Sequence, residues 1–162
     1  MLDIRALLHR LLDSKVEFVI IGGIAGTVHG SARITLDLDI CYSRAPESVE
    51  RLVLALAALK PKLRGVPPGL PFQWDSRTVH AGLNFTLETD LGPIDLLGEV
   101  AGIGGYPEAL TASEQMPLFG RPCHVLTLDA LIQSKRAAGR QRDLEHVIEL
   151  DALKELRSRK ND

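Results

Sequence analysis

The chain has 162 residues, 45% of them hydrophobic and 25% charged, and a formal net charge of -2. That length buries a real core without staples and fits one domain, 1–162. The near-neutral balance excludes a disordered chain and a protein that coats nucleic acid by bulk charge, so any RNA contact has to come from a local basic patch. The stretch MLDIRALLHRLLDSK lacks the continuous apolar run of a secretory leader, and no segment approaches the roughly 20 apolar residues of a membrane helix. The chain therefore reads as cytoplasmic, with no membrane partner. Cys41 and Cys123 have no C-x-x-C spacing and read as buried free thiols.

In chain order, the leucines of residues 2–13 recur at helical spacing and predict an amphipathic helix. EFVII, residues 17–21, predicts a buried strand, and Gly22-Gly23 a tight turn into a short helix that stops near Gly30. LDLDICY, residues 36–42, predicts the next strand, with Leu36, Leu38 and Ile40 on its buried face. A helix starts near Pro46 and carries an apolar face over 49–59. Residues 61–81, rich in Pro and Gly, predict a long loop over the surface or the rim of a site. LNFTLET (83–89) and PIDLL (93–97) predict an antiparallel pair, and MPLFGRPCHVLT one more hairpin or edge strand. Two helices, 128–138 and 141–157, broken at Gly139, close the chain. The order predicts an α/β (α+β) fold, a mixed sheet of about five strands covered by helices, with the helices from about 128 completing the site.

The chemistry concentrates in IIGGIAGTVHGSARITLDLDI, residues 20–40. Side chains alternate along a strand, so Asp37 and Asp39 share one face, roughly 6.6 Å apart at about 3.3 Å per residue. Like charges side by side repel, and a divalent cation turns that repulsion into attraction. Magnesium suits such a pair because it takes oxygen ligands, commonly one or two carboxylates together with substrate phosphates. A solvated strand face with two incidental acids is the plainer alternative. Before the acids, a helix start behind Gly22-Gly23 offers free N–H groups on which a phosphate can sit. Arg33 and Thr35 precede the acids, in reach of orienting them or a phosphate; otherwise they are a surface arginine and an ordinary strand residue. A third acid, Asp95, lies in an apolar strand where a lone carboxylate is costly, and beside residues 36–41 it completes a three-carboxylate cluster. Such a cluster holds two metals about 3.5 to 4 Å apart for an in-line displacement. Asp90 and Glu88 are competing candidates. A dinucleotide-binding fold fails because G-x-G-x-x-G is absent. His29, His80 and His124 have no ligand spacing.

G-G, then R-x-T-x-D-x-D, then an isolated strand Asp resembles the nucleotidyltransferase fold of the DNA polymerase beta superfamily. With the later KRAAGRQRDL, the motif looks like the AbiEii-type small nucleotidyltransferase proteins, some of which are toxins of toxin-antitoxin systems, and the likeness spans about residues 17–150. It implies that Gly22 and Gly23 hold the phosphates of an NTP, that Asp37 and Asp39 bind a pair of Mg2+ or Mn2+ ions, and that Asp95 is a further ligand or the base. It also implies that Lys135 and Asp143 face the site, with Lys135 on phosphate. Read from the residues alone, Lys135 is as well explained as a helix-dipole partner and Asp143 as a cap. Many superfamily members carry G-S at the glycine motif; here Gly23 replaces the serine and leaves only backbone donors.

The resulting expectation is a Mg2+-dependent enzyme that moves a nucleoside monophosphate from an NTP to an RNA, protein or small-molecule acceptor, with an antitoxin protein as a partner if the toxin likeness holds. Lys135, Arg136, Arg140 and Arg142, with Arg157, Arg159 and Lys160, would suit an RNA backbone. The alternative is a non-catalytic nucleotide- or partner-binding domain of the same fold, against which the presence of all three acids argues. A metal-dependent phosphatase or nuclease would share the carboxylates but leave the glycines unexplained.

Overall fold

The computed structural model describes residues 1–162. Helix α1, Ile4–Asp13, starts where the Asp3 carboxylate accepts from the Ala6 N–H, and buries Leu7, Leu8 and Leu11. Strand β1, Phe18–Ile21, runs into α2, Gly22–Val28, with no residue between them. Strand β2 is Leu38–Tyr42, and α3, Pro46–Ala57, begins with Pro at its first position, where the missing N–H costs nothing. Short elements follow: β3, Lys62–Leu63, and α4, Ser76–Ala81, capped by the Asp75 carboxylate on the Thr78 N–H. Then come β4, Asn84–Thr89, β5, Gly92–Leu97, α5, Tyr106–Thr111, β6, Ser113–Leu118, and β7, Arg121–Leu126. Helices α6, Leu128–Ala138, and α7, Gln141–Lys160, end the chain. They are separated by Gly139, whose φ of 69° closes α6 in the left-handed conformation that glycine adopts without penalty.

The strands form one mixed sheet in the order β3-β4-β5-β2-β1-β7-β6. Seven strands replace the expected five because residues 113–126 supply a full hairpin and because Lys62–Leu63 pairs with Leu87 and Glu88 of β4. Two residues are too few to show an alternating pattern, and that is why 61–81 reads as loop in the sequence. Leu38, Ile40 and Tyr42 alternate into the larger core with Ile20, Ile94 and Leu96, under α1 and α3. Cys41 faces the other way, into a smaller cluster with Val19, Ile21, Leu126 and Ala130. Both cysteines are free and buried. No helix is long and apolar enough to cross a membrane.

Candidate active site

Register sets the site. Antiparallel pairing puts Ile21 opposite Asp39, and parallel pairing puts Asp39 beside Asp95. Partners in register point to the same face, so Asp39 and Asp95 stand side by side where β1 gives way to α2. Asp37, immediately before β2, joins them, and one carboxylate oxygen from each of the three lies within 4.8 Å of the others. Leu36 departs from the expectation: it is 75% exposed rather than buried, because the strand begins only at Leu38 and the preceding residues follow no sheet alternation.

The glycines answer to the acids. A Cβ on Gly22 would lie 2.1 Å from Asp39 Oδ2, and the residue has φ +64°. A Cβ on Gly23 would lie 2.7 Å from Thr35 Oγ1, whose hydroxyl donates to the Asp37 main-chain carbonyl at 3.0 Å. The turn is thus stripped of side chains so that the acids and the loop before them can close against it. Burial, then the charges of Asp37 and Asp95, push the Asp39 carboxyl up to about 8. Burial and Asp95 also raise Asp37, against the pull of Arg64 and Arg142. Asp39 Oδ1 is buried and has no hydrogen-bond partner. An orphaned carboxylate oxygen beside two further acids, in a cradle that any side chain on Gly22 would fill, fits an oxygen-ligated divalent cation such as Mg2+ or Mn2+.

Facing the acids across a cleft of about 500 Å³ are the closing helices. Lys135, near the end of α6, lies 3.4 Å from Asp143 Oδ1, and Arg140 Nε donates to Asp143 Oδ2 at 2.6 Å. Asp143 is 2% exposed, and it caps no N–H: its carboxylate is spent on these two cations. Burial alone would raise its pKa, but the Arg140 hydrogen bond and the Lys135 and Arg140 charges hold it below the usual carboxylate range. Arg33 and Arg142 also line the cleft. The residues that the family resemblance implies meet there: Gly22, Gly23, Arg33 and Thr35 on one side, the three acids at the base, Lys135 and Asp143 opposite. Glu88 and Asp90 do not line it. Arg136, Arg157 and Arg159 turn to Asp151, His29 and Glu155.

Four participants escaped the sequence reading. Arg64, just past β3, donates from Nη2 to Asp95 Oδ1 at 2.6 Å and lies 3.6 Å from Asp37 Oδ2. Ser31 donates to Glu149 and neighbours His146 Nε2 at 3.2 Å, while the Ala32 N–H donates to the same Glu149 carboxylate at 3.0 Å. These contacts fasten the segment before the acids to α7. Burial, then the Lys135 and Arg33 charges, hold His146 below the usual imidazole range. Arg64 stands 31 positions from Asp95 and Ser31 118 from Glu149, and nothing in a sequence marks pairs so far apart.

No family model and no curated relative matches the chain. Solved structures do. A provisional nucleotidyltransferase of Thermotoga maritima, TM1012, is similar over 92% of this chain and 94% of its own, at 16% identity and a TM-score of 0.59. The fold is a nucleotidyltransferase fold. ANT(2'')-Ia, solved in complex with adenylyl-2''-tobramycin, aligns over 97% of this chain and 96% of its own at 15% identity and a TM-score of 0.57. The lincosamide antibiotic adenylyltransferase LnuA, solved with lincomycin bound, aligns over 94% and 98% at 14% identity and a TM-score of 0.58. The likeness is one of fold: a mixed sheet covered by helices.

Proposed function

We propose that this chain is a nucleotidyltransferase that moves a nucleoside monophosphate from an NTP to a hydroxyl of an acceptor molecule. The observation that carries the reading is the pairing of Asp39 with Asp95 in register, with Asp37 beside them and Lys135, Arg140 and Arg142 lining the same cleft. Asp37, Asp39 and Asp95 would hold Mg2+ or Mn2+, which offsets the charge of the phosphates during transfer. Lys135, Arg33 and Arg142 supply cations for the triphosphate, and the N–H groups behind Gly22 and Gly23 supply donors. Asp143 acts by fixing Lys135 and Arg140 in place. The acceptor oxygen bonds to the α-phosphorus as the bond to the β-phosphate oxygen breaks; its proton passes to a carboxylate of the cluster, Asp95 in this reading, and pyrophosphate leaves.

Among acceptors, a small hydroxyl-bearing molecule is favoured over RNA. The solved structures holding adenylyl-2''-tobramycin and lincomycin match this chain over nearly their whole length, and Arg157 and Arg159, two of the residues that would contact an RNA backbone, are engaged within the protein. The AbiEii-type likeness of residues 20–40 supports a second target, an RNA end or protein side chain, with the chain acting as a toxin restrained by an antitoxin protein. Use of an NTP assigns either reaction to the cytoplasm. The test is incubation with α-labelled NTPs, Mg2+ and separate pools of aminoglycoside-like polyols, RNA and protein. Label transferred to one pool names the acceptor class, and no transfer to any pool, with no pyrophosphate released, favours the non-catalytic nucleotide- or partner-binding alternative.

A further inference from the structure

Arg64 is held as part of the sheet rather than as a free surface arginine. Its main-chain N–H donates to the Thr86 carbonyl at 2.9 Å, and its Nη1 donates to the Leu87 carbonyl at 3.1 Å. Both acceptors belong to β4, the neighbour of the strand that carries Asp95. With one arm of the guanidinium tied to this main chain, the other is delivered to Asp95 Oδ1 at 2.6 Å and toward Asp37 Oδ2 at 3.6 Å. A guanidinium keeps its charge at any pH that the fold survives, and its planar fork serves several acceptors at once.

The charges then count out. Three ionised carboxylates carry three negative charges. In the nucleotide-free site one guanidinium and one divalent cation balance them, whereas two divalent cations beside Arg64 would leave an excess of two positive charges that Asp143, already shared by Lys135 and Arg140, does not offset. Arg64 engages Asp37 and Asp95 and leaves Asp39 alone, and Asp39 owns the buried oxygen that lacks a partner. We infer that Arg64 is the resident second cation of this cluster, a positioning residue, so that the site takes one divalent ion, on Asp39 with Asp37, instead of the pair that the family resemblance implies. This rests on the metal-dependent reading above.

The test is a titration of Mn2+ alone into the chelator-stripped full chain, with free Mn2+ followed by electron paramagnetic resonance. Wild type is expected to bind one ion per chain, Arg64→Gln two, and Arg64→Lys, which restores the charge without the fork, one. Arg64→Gln should also melt lower than wild type without metal and recover more on adding Mn2+. Two ions in wild type, or equal counts in wild type and Arg64→Gln, overturn the inference and leave the nucleotidyltransferase reading standing. No Mn2+ bound by wild type overturns the inference, and the Mg2+ dependence of NTP binding then decides the metal-dependent reading separately. If Arg64→Gln fails to unfold cooperatively, the wild-type count decides alone, one ion supporting the inference and two refuting it.

Discussion

Gly22 and Asp39 occupy one another's space: a Cβ on the glycine would meet the aspartate Oδ2 at 2.1 Å and its Cβ at 2.9 Å. The turn from β1 to α2 is therefore shaped by the acid on the next strand. Gly22→Ala is expected to cost about 1–3 kcal/mol from the left-handed backbone alone, with the collision added to that. A double-mutant cycle separates the two. In an Asp39→Gly background the added part should vanish, leaving a coupling of about 1 kcal/mol or more by denaturant melts. Strictly additive losses would show that the two residues do not share the space.

Asp39 also predicts a pH dependence. Its carboxyl is raised from 3.8 to about 8, chiefly by burial. A group raised on folding holds its proton more tightly in the folded chain, so it contributes stability that is full below the unfolded value and lost as pH climbs through the folded one. Chelator-treated wild type should lose melting temperature between about pH 5 and about pH 8, and Asp39→Asn, which cannot ionise, should lose distinctly less over that range. Parallel curves for the two proteins would contradict the assignment.

Much of this was legible in the sequence and part was not, for identifiable reasons. The alternation of Leu38 and Ile40 predicts the face that Asp39 takes, because a strand with one buried side has little freedom of register. That Asp95 stands next to Asp39 is a fact of long-range parallel pairing, which composition suggests only through the cost of a lone acid in an apolar strand. Arg64 was illegible because its anchor is a two-residue strand within a Pro- and Gly-rich segment. Leu36 misled because an apolar residue beside a strand looks like a member of it. Asp143 reads from the residues alone as a helix cap and from the resemblance as a residue facing the site, and the fold brings Lys135 and Arg140 to its carboxylate.

The Lys135–Asp143–Arg140 group separates holding from contacting. Asp143→Ala leaves Lys135, mostly buried, without its anion, and should cost about 2–3 kcal/mol, toward the low end for broken buried pairs because Arg140 reaches water. Lys135→Met should leave stability within about 1 kcal/mol while lowering kcat/KM on the order of 10²-fold, the loss typical of one charge-stabilising group. Thermal melts and steady-state kinetics on both variants check this. A Lys135→Met protein that melts far lower yet turns over normally would assign the lysine to structure.

Ser31 and Glu149 hold the segment 31–37 against α7. Ser31→Ala should cost about 1 kcal/mol, speed amide exchange across 31–37 in hydrogen-exchange mass spectrometry, and raise the KM for nucleotide more than it lowers kcat. The Ser31 hydrogen bond and then the Ala32 N–H hold the Glu149 carboxyl low, so the fastening is present above the ordinary carboxylate range and weakens as pH falls through it. Unchanged exchange in Ser31→Ala would show that other contacts fix the segment.

Isothermal titration of the four NTPs, with and without Mg2+, into wild type and into the Asp37→Ala/Asp39→Ala double variant tests the central claim most directly. The account predicts Mg2+-dependent binding to wild type that the double variant loses while still unfolding cooperatively. Binding that is indifferent to Mg2+ and to both aspartates, or no binding at all by wild type, would contradict it.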